Sequence, residues 1–312
     1  HGLSLSVHGG EVTAFAYVTL DVFTDRLFGG NQLAVFPDAR GIPDTALQDI
    51  AREFNFSETT FCYPPANPAH EARVRIFTPG AEVPFAGHPT IGTAIALHAR
   101  RPQGPLDAKL VLEEGVGPVP VIVRTDGPAP FAQFAVAKLP ELGPPVPTRT
   151  TLADILSLSP DDIVSGTSAP QAISCGLPFL IVGVKSLTAL GQARVRLDPW
   201  EQTLRRSWAP DLFVFAADPE SGPAHYRARC FVPSMAVPED PATGSANACF
   251  AGFLAARSPE REGTLGWTVM QGVEMGRPSR LEIEAEKANG AITAIRVGGQ
   301  AVFVMEGSFR LP

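Results

Sequence analysis

Cysteine is scarce. The 312 residues hold four, Cys62, Cys175, Cys230 and Cys249, widely spaced and with no Cys-x-x-Cys pair. That spacing excludes a structural zinc ribbon and a disulfide scaffold, and it fits a reducing compartment. Charge is also thin, at 18% against a usual ~25%, so much of the chain is interior. What charge there is leans acidic: 25 Lys and Arg stand against 32 Asp and Glu, for a net −7. A chain of that sign lacks the basic footprint of a nucleic-acid binder. No apolar run approaches the ~18 residues of a membrane span, and no charged-then-apolar leader opens the sequence. Nucleotide motifs are missing as well, with no GxxxxGK before Ser or Thr and no GxGxxG after a strand. There is no HExxH, and His70, His98 and His225 show no ligand spacing. These absences predict a cytoplasmic protein that engages neither nucleic acid nor membrane.

Glycine and proline, by contrast, are plentiful: 29 Gly and 31 Pro, beside 19 Phe, describe a turn-rich, strand-rich chain. Its length suits two average domains. An internal repeat supports that division. Arg73 to Pro84 (RVRIFTPGAEVP) matches Arg227 to Pro238 (RARCFVPSMAVP) at an offset of 154, pairing Arg73, Arg75, Phe77, Pro79, Val83 and Pro84 with Arg227, Arg229, Phe231, Pro233, Val237 and Pro238. After a two-residue deletion, Pro89, Gly92, Thr93 and Ala94 meet Pro241, Gly244, Ser245 and Ala246. Ten matches in order imply two similar domains, 1–127 and 128–312, divided at the Asp126-Gly127-Pro128 turn signal, with the last strand free to return to the first.

Each copy reads as an alternating strand (Ala72 to Phe77; His225 to Val232), a Pro-containing turn, then a helix. The helices, Pro89 to Ala99 and Pro241 to Ala256, are apolar or small on nearly every side, so each must be enclosed. Short strands make up most of the remainder, with amphipathic helices expected outside at Asp44 to Glu53, Thr151 to Leu158 and Pro199 to Trp208. The expected fold class is α+β, with two similar domains, each a strongly curved, mainly antiparallel sheet rolled around a buried central helix.

Both central helices begin with Pro and a Gly-Thr or Gly-Ser pair soon after. Pro is suited to a first helical turn, and Gly lets a ligand approach the backbone closely. Free N–H groups at such a terminus favour a carboxylate or other oxyanion, and two facing domains would aim both termini at one ligand. His88 precedes Pro89 and Asp240 precedes Pro241, so the two sit at matching positions of the repeat. Asp before Pro also reads as an ordinary N-cap, His88 as a buried His bonded to a carbonyl, and Ser245 as a plain first-turn serine. Glu58, between an amphipathic helix and an apolar strand, is the remaining candidate; alone it reads as a solvated turn residue.

Longer stretches narrow this. Asp21-Val22-Phe23-Thr24, Gly30-Asn31-Gln32-Leu33-Ala34-Val35-Phe36, Ser57-Glu58-Thr59, Pro84-Phe85-Ala86-Gly87-His88-Pro89 and Glu239-Asp240-Pro241-Ala242-Thr243-Gly244-Ser245-Ala246 resemble the signatures of the phenazine biosynthesis PhzF-like family. Gln271-Gly272 and Met275-Gly276-Arg277-Pro278-Ser279 fit as well. The resemblance implies the diaminopimelate epimerase-like fold and an isomerase working without cofactor or metal on trans-2,3-dihydro-3-hydroxyanthranilate or a similar small carboxylate. It implies that Glu58 is the acid/base, that His88 and Asp240 bind polar groups and relay protons, and that Gly87, Gly244 and Ser245 line the cleft. It also suggests a homodimer. Epimerases of the wider fold carry a cysteine at each helix N-terminus; none stands there here, which argues against a two-thiol racemase. The competing reading is a non-catalytic protein binding a small anion on the same fold.

Overall fold

The computed structural model describes residues 13–101, 107–222, 225–235 and 237–311. Residues 1–12, within the first expected domain, and Ala236, within the second repeat copy, lie outside the described residues.

Along the chain come β1 (Thr13–Val22), β2 (Asn31–Phe36), α1 (Asp44–Phe54), β3 (Glu58–Tyr63), β4 (Ala72–Phe77), β5 (Glu82–Val83), α2 (Gly87–Ala99), β6 (Asp107–Glu114), β7 (Gly117–Arg124) and β8 (Phe131–Ala135). There follow β9 (Glu141–Leu142), α3 (Arg149–Leu156), β10 (Gln171–Ser174), β11 (Pro178–Gly183), α4 (Leu187–Gln192), α5 (Leu197–Thr203), β12 (Leu212–Ala217) and β13 (His225–Val232). Last are β14 (Val237–Asp240), α6 (Gly244–Arg257), β15 (Gly263–Gln271), β16 (Ser279–Ala288) and β17 (Ala291–Leu311).

The strand pairings trace two circuits. In the first, β1, β2, β3, β4, β6, β7 and β8 pair in turn, and β17 joins β8 back to β1. Its pairs are antiparallel except β2–β3 and β4–β6, whose parallel register needs the crossovers that α1 and α2 supply. In the second, β9, β10, β11, β12, β13, β15, β16 and β17 pair in turn, and here β11–β12 and β13–β15 are the parallel pairs. The second crossover of each circuit is its central helix. β17 serves both: Ala291–Gly298 pairs with β16, Arg296–Gln300 with β8, and Ala301–Leu311 with β1. A strand of 21 residues reaches about 70 Å at ~3.3 Å per residue, enough to pass from one circuit to the other.

The central helices lack a polar face because they have no solvent to face. Every residue of α2 from Gly87 to His98 is buried, and α6 is buried at Gly244 and at nearly every position from Ala246 to Ala255. The two threonines on α2 are paired: Thr93 Oγ1 lies 2.9 Å from Thr60 Oγ1, and Thr90 Oγ1 lies 2.8 Å from both the Ala86 carbonyl and Glu114 Oε1. Lys287, itself buried, donates to the Ala255 and Ser258 carbonyls, setting a positive charge at the C-terminal end of α6 where the helix dipole favours one. Outside, α1 buries Leu47, Ile50 and Ala51 against Phe36, Phe61 and Phe77. The predicted α5 ends at Thr203 rather than Trp208.

The repeat is structural as far as the strands go. β4 pairs with β5 as β13 pairs with β14. At the helices the expected alignment fails. α2 begins at Gly87, so His88 and Pro89 are its second and third residues. α6 begins at Gly244, leaving Asp240 at the end of β14 and Pro241 outside the helix. The counterpart of Gly244 is therefore Gly87, not Gly92, and that of His88 is Ser245, not Asp240. The second copy carries three extra residues before its helix where sequence matching placed a two-residue deletion. Small residues recur along both helices, and that recurrence drew the match five residues too far.

Candidate active site

The two helix N-termini meet. A Cβ placed on Gly87 would lie 3.0 Å from Gly244 Cα, and one placed on Gly244 would lie 3.0 Å from Gly87 Cα. Only glycine lets two backbones approach this closely. Neither helix has a side-chain cap: Ala86 and Thr243 occupy the cap positions in extended conformation without a capping bond. Two positive helix ends thus converge with first-turn N–H groups that no side chain claims, an arrangement that favours negative charge between them.

Three of the expected site residues gather at this junction. Glu58 opens β3 beside the start of its parallel neighbour β2, which places Glu58 and Asn31 at the same end of the sheet. Glu58 Oε2 lies 3.3 Å from His88 Nε2, but neither atom finds a hydrogen-bond partner, and both are buried. Burial, reinforced by the negative charge of Asp240, pushes the Glu58 carboxyl up to about 8. Burial, against the opposing pull of a hydrogen bond to the Gln32 backbone, holds the His88 imidazole down to about 3, so it is neutral. Asp240 is raised to about 6 by burial, against the opposing pull of hydrogen bonds from Thr243 and Asn31.

Asp240 is not a helix cap. Its Oδ1 accepts from Asn31 Nδ2 at 3.0 Å and its Oδ2 from Thr243 Oγ1 at 2.5 Å. Gln271, fully buried, donates Nε2 to the Asp240 carbonyl (2.8 Å) and to Thr243 Oγ1 (3.0 Å). Its Oε1 accepts from Asn247 Nδ2 (2.9 Å) and Thr243 N–H (3.3 Å). Bonded on both ends, Gln271 fixes the loop that presents Asp240. Ser245 is half-buried as the second residue of α6, matching His88 on α2.

Asn31, Ser57, Thr243, Gln271 and Arg277 were given no role in the sequence reading. Asn31 Nδ2 reaches His88 Nδ1, Asp240 Oδ1 and the Ala242 carbonyl, while Ser57 Oγ donates to its Oδ1 at 2.9 Å. Arg277 holds the turn before Asn31, donating to the Gly29 and Gly30 carbonyls and pairing with Asp21 at 2.5 Å. The one available signal was their place in the motif stretches; nothing in their spacing shows that they converge.

No cysteine stands at either helix start. Cys62 lies on β3, Cys230 on β13 and Cys249 in the middle of α6, and burial pushes the Cys62 thiol up to about 12. Among the described residues, no group of three or more His, Cys, Asp or Glu is placed to hold a metal ion.

Fold and relatives together define an isomerase of the epimerase-like class. Residues 20–307 match the family model described as phenazine biosynthesis-like protein (PhzC-PhzF), and the chain belongs to that family. It is 40% identical over 294 residues to an uncharacterized isomerase of Mesorhizobium japonicum, covering 93% of this chain and 97% of the relative. It is 36% identical over 295 residues to the trans-2,3-dihydro-3-hydroxyanthranilate isomerase of Pseudomonas aeruginosa, covering 93% and 98%. The crystal structure of the Bacillus anthracis phenazine biosynthesis protein of the PhzF family superposes with a TM-score of 0.85 at 23% identity, over 95% of this chain and 99% of that one. That likeness shows the fold, which is the diaminopimelate epimerase-like α+β class expected from the sequence.

Proposed function

We propose that this isomerase moves a carbon-bound proton on a small carboxylate-bearing substrate, without a cofactor, using Glu58 as the single acid/base. The observation that carries the reading is the pair of buried, partnerless atoms, Glu58 Oε2 and His88 Nε2, set 3.3 Å apart beside two uncapped helix N-termini. In the forward step the Glu58 carboxylate takes a proton from one substrate carbon, and the C–H electron pair moves into the substrate's unsaturated system. Glu58, now a carboxylic acid, returns the proton to another carbon and is regenerated. A carboxyl at its ordinary value is a weak base; one held near 8 exchanges protons near neutral pH with far better matching. Developing negative charge would fall between the helix ends, where Gly87, Gly244 and Ser245 offer backbone donors for it and for the substrate carboxylate. His88 and Asp240 would bind the substrate's remaining polar groups and relay protons.

The named relative makes trans-2,3-dihydro-3-hydroxyanthranilate the first substrate to test. On this reading the two strand circuits are two similar domains divided near residue 127, with β8, just beyond it, still paired in the first circuit, and two chains associate as a cytoplasmic homodimer. The test compares wild type with Glu58→Gln on that compound and a panel of small carboxylic acids, followed by proton NMR. Turnover by wild type with a loss of at least about 10³-fold in Glu58→Gln is expected, since acid/base groups contribute 10²–10⁴-fold. Binding without turnover across the panel would favour the anion-binding reading instead.

A further inference from the structure

We propose that Thr243 is the positioning residue for Asp240, and that Gln271 turns the Thr243 hydroxyl away from the start of α6 and onto the Asp240 carboxylate. The inference deepens the reading of Asp240 above and rests on it.

Two backbone groups fix the orientation of the Gln271 amide. The Asp240 carbonyl, at 2.8 Å, only accepts, so the atom facing it is Nε2. The Thr243 N–H, at 3.3 Å, only donates, so the atom facing it is Oε1. The second hydrogen of Nε2 goes to Thr243 Oγ1 at 3.0 Å. A hydroxyl that accepts from Gln271 sends its own proton elsewhere, and Asp240 Oδ2 stands 2.5 Å away. The buried Cys230 thiol also faces this hydroxyl, but its sulfur is a far weaker acceptor than a carboxylate.

Thr243 occupies the cap position of α6, where a threonine oxygen ordinarily accepts from a first-turn N–H. Here it accepts from none of them. Asn247, one turn into α6, donates Nδ2 to the Thr243 carbonyl and to Gln271 Oε1, each at 2.9 Å. Thr243 is thus held at its N–H, its carbonyl and its hydroxyl by two fully buried amides. The first-turn N–H groups of α6 stay open to an anion, and Asp240 gains a donor on Oδ2 to match Asn31 on Oδ1. The titratable groups around Asp240 do not offset its charge. Glu58 on β3 and Glu239 on β14 carry like charge when ionised, and Glu239 is already paired with Arg229 on β13. Cys230 on β13 is an un-ionised thiol, and His88 on α2 is neutral behind Asn31. Holding the carboxylate falls to Thr243 and Asn31.

The test needs no substrate. Protein carrying ¹³C-labelled aspartate carboxyls is titrated by NMR, the Asp240 signal being assigned by its loss in Asp240→Asn. Thr243→Val keeps the side-chain shape and removes the hydroxyl. Its Asp240 is expected to titrate about one pH unit above wild type, because the charged form has lost a donor. Thr243→Ser, which keeps the hydroxyl, is expected to titrate with wild type. An Asp240 midpoint that is the same in Thr243→Val as in wild type would overturn the proposal. So would a Thr243→Ser midpoint displaced as far as that of Thr243→Val, since packing and not the hydroxyl would then set it. A crystal structure of the wild-type protein tests the contact with no variant: Thr243 Oγ1 bonded to the Ser245 or Ala246 N–H instead of Asp240 would also overturn it. With trans-2,3-dihydro-3-hydroxyanthranilate as probe, Thr243→Val is expected to lose about tenfold in kcat/KM, the worth of one hydrogen bond to a charged group, and Thr243→Ser to recover it. A failure of the isomerase reading would silence only this kinetic arm and leave the titration intact, which separates the two.

Discussion

Two buried glutamates carry the same shift for partly different reasons. Glu114 is held at about 8 by burial, partly offset by its bond from Thr90. Glu58 reaches about 8 through burial plus the charge on Asp240. Asp240 ionises first, near 6, and its charge then opposes ionisation of Glu58. The rate, kcat/KM, should therefore rise with pH through a limb near 8, and Asp240→Asn should move that limb to lower pH; an unmoved limb would remove Asp240 from the electrostatics of Glu58. Glu114 gives a stability test. Its folded pKa lies above its unfolded value, so the folded state holds its proton more tightly and stability is lost as pH rises toward and through about 8. Glu114→Gln is expected to raise the thermal midpoint above wild type at pH 9 and to bring no such gain at pH 4, measured by circular dichroism melts. At this scale the sequence was uneven. Glu58, His88 and Asp240 were legible through their motifs. Asn31 and Gln271 were not, because their importance lies in which chain segments they join, and one-dimensional spacing does not record that.

Elements were more legible than their ends. The strands Ala72–Phe77 and His225–Val232 stand where alternation and β-branched or aromatic content placed them. β2 was not identified as a strand, although its run from Asn31 to Phe36 is nearly all buried, because a continuous apolar run has no period to read. Both central helices were identified by the absence of a polar face, but their starts were placed too late in one case and too early in the other. Proline drew the boundary in each, whereas the helices begin at glycines whose meeting is a tertiary fact. That meeting is testable. Gly244→Ala puts a methyl 3.0 Å from Gly87 Cα and must wedge the two helix ends apart by a few tenths of an ångström. It should lower kcat/KM by about 10²-fold, at a stability cost of about 1–3 kcal/mol typical of overpacking. Unchanged kinetics would mean that the helix junction does not shape the site.

Across the whole molecule, the repeat seen in the sequence corresponds to two strand circuits sharing β17, and that sharing is the part no local pattern could show. A long strand reads the same whether it serves one sheet or two. Between the circuits runs a clamp: Arg277, just before β16, pairs with Asp21 on β1, whose other oxygen accepts from the Phe28 N–H. Asp21 is 3% exposed, so Arg277→Ala would strand a buried charge. The expected loss is about 3 kcal/mol in denaturant unfolding, together with a weakened site, because the same arginine holds the turn that carries Asn31. A variant as stable as wild type would show that the clamp contributes nothing. Among the described residues, no helix is long and apolar enough to cross a membrane.

The central claim is that one carboxyl carries the proton. The most direct measurement is deuterium incorporation from D₂O into carbon-bound positions of trans-2,3-dihydro-3-hydroxyanthranilate, followed by proton NMR, for wild type and for Glu58→Gln at matched enzyme concentration. Incorporation by wild type that vanishes in Glu58→Gln, with binding retained, is the predicted result. Incorporation at an undiminished rate in Glu58→Gln would contradict the account and pass the proton to another group.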